Sequence, residues 1–196
     1  MTDEAQTAVP VVNVPNALTL LRLLLVPVFG WMLLAHPDDV GWRWLSTAVF
    51  AVALATDFAD GQIARRYHLI TNFGKLWDPI ADKAITGMGF IGLSLLGELW
   101  WWVTIVILVR EWGITLLRFL ILKYGVMAAN RGGKLKTLTQ TAALLVCLAP
   151  LPTLFYWPAV VLMALAFVLT VVTGVDYLIE AYRLRARWLA ERSAAS

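Results

Sequence analysis

The chain has 196 residues, 60% of them hydrophobic and 15% charged, with a mean hydropathy of +0.74 and a formal charge of +3. That is too apolar for an ordinary soluble domain and marks an integral membrane protein. The single cysteine, Cys147, rules out an intrachain disulfide and reads as a small apolar residue. The modest positive charge lies in breaks between apolar runs, so it reads as a topology signal with no nucleic-acid partner.

Residues 1–15 are polar and then Pro-containing, with no lysine or arginine, so they lack the basic start of a cleaved signal peptide and read as a short disordered cytoplasmic tail. Apolar runs long enough to span follow at Ala17–Ala35, Trp44–Ala64, Pro79–Leu96, Trp100–Leu122, Leu138–Leu154 and Pro158–Ile179. They predict an all-α integral membrane bundle of about six transmembrane helices over residues 16–182, ending in a basic cytoplasmic tail at 183–196. The breaks are short, which favours antiparallel neighbours and leaves no room for a separate soluble domain. No internal repeat is evident.

Loop charge orients the spans. One side holds Asp38, Asp39, Arg43 and Glu98; the other collects Arg65, Arg66, Lys75, Lys123, Arg131, Lys134, Lys136, Arg183, Arg185, Arg187 and Arg192. The basic side is expected to be cytoplasmic, with both termini on it, in a multi-pass cell-membrane protein. Aromatic residues at Trp42, Trp44, Trp100, Trp101, Trp102, Tyr156 and Trp157 mark the opposite boundary.

Within this frame the stretch Asp57 to Lys83 stands out, with four carboxylates among long apolar runs: Asp57, Asp60, Asp78 and Asp82. On helices, spacings of i, i+3 and i, i+4 put each pair on one face. Ionisable groups at a membrane edge need compensation, and hard oxygen ligands suit Mg²⁺, Mn²⁺ or Ca²⁺. Two divalent ions would balance four carboxylates, the pattern of a two-metal site acting on phosphate esters. Pro79 reads as the first turn of the third helix, which would put positive partial charge beside Asp78. Gly61, Ala64 and Gly74 remove bulk where a ligand or a neighbouring helix could approach, and Arg65 could grip a diphosphate bidentately.

The string Asp57-x-x-Asp60-Gly61-x-x-Ala64-Arg65, eight residues, Gly74-x-x-x-Asp78-x-x-x-Asp82 resembles the signature of the CDP-alcohol phosphatidyltransferases at every fixed position. The opening VPNALTLLRLLLVPVF, the segment from Arg110-Glu111-Trp112-Gly113 to Arg118, and GGKLKT at Gly132 to Thr137 resemble the branch that makes phosphatidylglycerophosphate. The resemblance implies transfer of a phosphatidyl group from CDP-diacylglycerol to an alcohol, with release of CMP, in a membrane homodimer using divalent metal. It also implies roles: Asp57, Asp60 and Asp78 as metal ligands, and Asp82 as general base and bridge to a second ion. Asn16, Thr19, Gly61, Arg65 and Thr71 become nucleotide contacts. Asn16 can also be read as a helix N-cap after Pro15; Arg22, on the same face, is buried by its sequence position, with snorkelling to the interface as the alternative.

A phosphorylated acceptor needs cations of its own. Arg110 and Arg118 in or near the fourth helix, and Lys134 and Lys136 ahead of the fifth, are the candidates. Pairing of Arg110 with Glu111, and a topology or lipid-contact role for the lysines, are the plainer alternatives. Four cations fit glycerol 3-phosphate better than an uncharged alcohol. The same chemistry on inositol phosphate, serine or phosphatidylglycerol is the next reading. A metal-ion transporter is a third, disfavoured because no acidic residues continue across the membrane.

Overall fold

A computed structural model describes residues 13–67, 69, 71–121 and 131–194. Six α-helices account for most of them: α1 Val14–Ala35, α2 Val40–Arg66, α3 Asn72–Leu95, α4 Trp101–Ile121, α5 Arg131–Leu148 and α6 Tyr156–Ala194, with a short 3₁₀ turn at Thr153–Phe155 before α6. No strand occurs among the described residues, and the expected all-α architecture stands. Of the expected tail at 1–15, residues 1–12 lie outside them, whereas Asn13 caps α1 and Val14 and Pro15 begin it.

Two segments, Val14–Ala35 and Thr153–Ala190, are long and apolar enough to cross a membrane by length and hydropathy alone. The other helices interrupt their apolar runs with charged side chains, most of which belong to the clusters described below. Large apolar side chains stay exposed along both spans, among them Leu24, Val28 and Trp31 on α1 and Val161, Leu165 and Val172 on α6. Water would disfavour such faces, whereas hydrocarbon solvates them.

The chain divides into two units, Met1–Gly92 and Leu93–Ser196. In the first, α1 packs on α2 around Phe29 and Phe50, both fully buried with ring centroids 5.3 Å apart. Where α1 meets α3, a Cβ on Gly30 would lie 2.8 Å from Met88 Cε, and one on Gly92 would collide with Leu33. These glycines let the two backbones approach closely, as small residues do between membrane helices. In the second unit, α6 packs against both α4 and α5. Polar pairs reinforce it: Gln140 Nε2 donates to Thr170 Oγ1 at 2.7 Å, and Ser94 and Thr104 share a 2.7 Å hydroxyl contact.

Several boundaries differ from expectation. α3 starts at Asn72, about two turns before Pro79, because Thr71 caps it: Thr71 Oγ1 accepts from the Gly74 N–H at 3.0 Å. Pro79 therefore lies inside the helix, and the helix start does not adjoin Asp78. α5 begins at Arg131, so Lys134 and Lys136 lie within it, and it ends at Leu148, just before Pro150 and Pro152. α6 continues as helix through the basic segment to Ala194.

Candidate active site

The carboxylates of the first unit are positioned by three helices. Asp57 and Asp60 share a face near the end of α2, and Asp78 and Asp82 share one on α3. Asp57, Asp60 and Asp78 lie within electrostatic reach of one another. What holds them comes largely from α1. Arg22 has no exposed surface; its Nη1 donates to Asp57 Oδ1 at 2.5 Å and its Nη2 to Asp60 Oδ2. Thr19 Oγ1 stands 2.5 Å from Asp78 Oδ1 and 3.1 Å from the Pro15 carbonyl.

Next to the carboxylates is a small polar nest. Thr71 Oγ1 donates to Asn16 Oδ1 at 3.0 Å while accepting from the Gly74 N–H. A Cβ on Gly74 would meet Asn16 Oδ1 at 2.9 Å and Asp78 Oδ2 at 3.5 Å, so only glycine lets the α3 backbone lie against these groups. The N-cap of α1 is Asn13, whose side chain accepts from the Asn16 N–H at 2.9 Å. Asn16 is not the cap. Its buried side chain faces Thr71 instead.

Thus Asn16, Thr19, Thr71, Gly74, Asp57, Asp60 and Asp78 lie in one neighbourhood of the first unit. Gly61 and Ala64 are half-buried on the last turns of α2, and Asp82 is half-buried one turn beyond Asp78. The side chain of Arg65 lies outside the described ones. Arg22 is buried, as its sequence position implies, and doubly paired, so it does not snorkel. Its signal was an arginine inside an apolar run, three residues after Thr19.

A divalent metal is a reasonable occupant on donor chemistry and charge. Among the described side chains, Asp57 and Asp60 share the single guanidinium of Arg22 while Asp78 is bonded to the neutral Thr19 hydroxyl, and their oxygens are the hard ligands such ions prefer. Among the described residues, no three acidic, His or Cys side chains already converge as a ligand cage.

The second unit holds the other charged cluster. Glu111 Oε1 accepts from Arg110 Nη1 at 3.0 Å and from Lys136 Nζ at 2.5 Å. Arg110 Nη2 also donates to Thr173 Oγ1 at 2.8 Å, and a Cβ on Gly174 would touch the Arg110 stem at 3.1 Å. Arg118 donates to the Tyr177 hydroxyl at 2.7 Å and lies 4.7 Å from that ring's centroid, with Arg110 at 5.6 Å. Arg110, Arg118 and Lys136 are therefore linked through Glu111 and Tyr177, whereas Lys134 is exposed on α5. The Arg110–Glu111 pair is real. Lys136 is buried in the same pairing rather than displayed as a topology charge.

Comparison with known proteins agrees with the signature. A sequence model of the family described as CDP-alcohol phosphatidyltransferase matches residues 12–172. A protein of Mycobacterium tuberculosis (strain ATCC 25618 / H37Rv), named as a probable phosphatidylglycerophosphate synthase, is 48% identical over 176 residues, covering 88% of this chain and 83% of its own. A CDP-diacylglycerol–glycerol-3-phosphate 3-phosphatidyltransferase of Bacillus subtilis (strain 168) is 37% identical, covering 84% of this chain and 93% of its own. One with the same name from Rickettsia typhi (strain ATCC VR-144 / Wilmington) is 36% identical, with 84% and 94% covered.

Proposed function

Because this chain belongs to the CDP-alcohol phosphatidyltransferase family, we propose that it transfers the phosphatidyl group of CDP-diacylglycerol to glycerol 3-phosphate, giving phosphatidylglycerophosphate and CMP. The observation that carries the choice of acceptor is the set of relatives named for this reaction or its product, aligned over more than four-fifths of the chain. The cationic cluster is in keeping with it. Arg110 and Lys136 share the Glu111 carboxylate there and Arg118 is bonded to a neutral hydroxyl, an arrangement that suits a phosphate monoester.

Asp57, Asp60 and Asp78, with Asp82 bridging, are proposed to hold divalent metal, Mg²⁺ or Mn²⁺, as two ions by charge count. When bound, such ions neutralise the diphosphate and the charge that develops on departing CMP. Asn16, Thr19, Gly61, Ala64, Arg65, Thr71 and Gly74 are proposed to receive the CDP end of the lipid, the bare Cα of Gly74 keeping that pocket open. The acceptor hydroxyl attacks the phosphatidyl phosphorus, its proton passes to Asp82, and the bond from that phosphorus to the CMP oxygen breaks. Arg110, Arg118, Lys134 and Lys136 are assigned to the acceptor phosphate. Arg118 is exposed and neutral-partnered, so it has the most charge to offer.

Multi-pass insertion, with both termini and the aspartates on the cytoplasmic side, is part of the proposal and rests on loop charge. Homodimer assembly is carried over from the family.

The test is CMP release by purified protein with CDP-diacylglycerol and Mg²⁺, comparing glycerol 3-phosphate, inositol 1-phosphate, serine and phosphatidylglycerol. Activity with glycerol 3-phosphate, lost in EDTA and regained with Mg²⁺ or Mn²⁺, is the expected result. Preference for another acceptor would overturn the acceptor assignment. Arg118→Ala is expected to raise the KM for glycerol 3-phosphate by about tenfold or more, the scale of one charge-assisted hydrogen bond. The KM for CDP-diacylglycerol should change far less; an effect on the lipid nucleotide alone would remove Arg118 from the acceptor site.

A further inference from the structure

Among the charged side chains described, Arg22 combines complete burial with two carboxylate partners. One partner is largely enclosed and the other partly open: the side chains of Asp60 and Asp57 are 5% and 43% exposed. The fork spends one terminal nitrogen on each carboxylate, and Nε bonds to nothing. Among the described residues, those two aspartates are its only polar anchors. Two adjacent carboxylates, one of them enclosed, are disfavoured without a cation, and a divalent ion beside a guanidinium is repelled by it.

We propose that Arg22 is the built-in counter-cation of this site, a positioning residue that keeps Asp57 and Asp60 assembled without a divalent ion and competes with that ion for Asp57 Oδ1 and Asp60 Oδ2. The inference rests on reading the aspartates as the metal site. Arg22 then sets the concentration at which metal enters: its charge weakens binding while protecting the empty fold. A purely structural arginine would stabilise the helices without affecting metal affinity.

The full chain in detergent micelles tests this with two readouts besides turnover: thermal unfolding in EDTA and in Mg²⁺, and Mn²⁺ binding followed by the spin resonance of the free ion. Arg22→Met is expected to unfold at lower temperature in EDTA, to gain more than wild type from Mg²⁺, and to bind Mn²⁺ about tenfold more tightly, as loss of one adjacent like charge implies. Arg22→Lys, which keeps the charge, should stay near the wild-type affinity. Equal or weaker Mn²⁺ binding by Arg22→Met would overturn the proposal. If Arg22→Met does not fold even in Mg²⁺, adding Asp60→Asn should restore folding by removing one uncompensated charge; failure to restore it would equally overturn the proposal. Absence of Mn²⁺ binding in wild type and variants alike would instead overturn the metal-site reading, and this inference with it.

Discussion

Asp82→Asn is expected to reduce CMP release by about 10²–10⁴-fold, the usual worth of a positioned general base, while CDP-diacylglycerol binding stays measurable. Asparagine keeps the shape and one oxygen of the side chain but cannot take the acceptor's proton. Asp82 sits in continuous helix, its carbonyl accepting from Thr86 Oγ1 at 2.8 Å, so the substitution acts through the side chain. The measurement is kcat for CMP release alongside equilibrium binding of the lipid nucleotide. A variant within tenfold of wild type would take the base role away from Asp82.

The second large effect is on stability. Glu111→Gln is expected to destabilise the protein by about 3 kcal/mol, the scale for removing one partner from a buried ion pair. Glu111 Oε1 serves Arg110 and Lys136 together, and these side chains are only 15%, 12% and 5% exposed. Loss of that charge leaves two cations facing each other with little water. The midpoint of thermal unfolding in detergent reads the effect, and Lys136→Met added to Glu111→Gln should recover part of it. An unchanged midpoint would mean that the pairs contribute nothing to the fold.

The helices were legible because apolar runs of spanning length leave few alternatives. Their ends were not. Pro79 satisfies the local rule for a helix start, and only the Thr71 cap places the start earlier. Asn16 satisfies the local rule for a cap, but it is the Asn13 side chain that turns back to a backbone N–H. At the site, the aspartates and Gly74 are singled out by chemistry and spacing, whereas Asn16 and Thr19 come only through the family resemblance. The partners of Arg22 lie 35 and 38 residues away, beyond any local pattern. Lys136 was placed ahead of its helix for a related reason: GGKLKT reads as loop until the buried contact with Glu111 is seen.

The length of α6 fixes how this chain meets a bilayer. Its 39 residues amount to about 58 Å of helix, roughly twice the hydrocarbon thickness. Tyr156 and Trp157 mark one end of its apolar stretch, and at the other Asp176 and Glu180 precede the first cation, Arg183, so about 39 Å of helix separates the aromatic anchor from the cationic one. Neither anchor can enter hydrocarbon cheaply, and no loop between them can take up slack. In a thinner membrane the helix must tilt, and in a thicker one the lipid must compress around it.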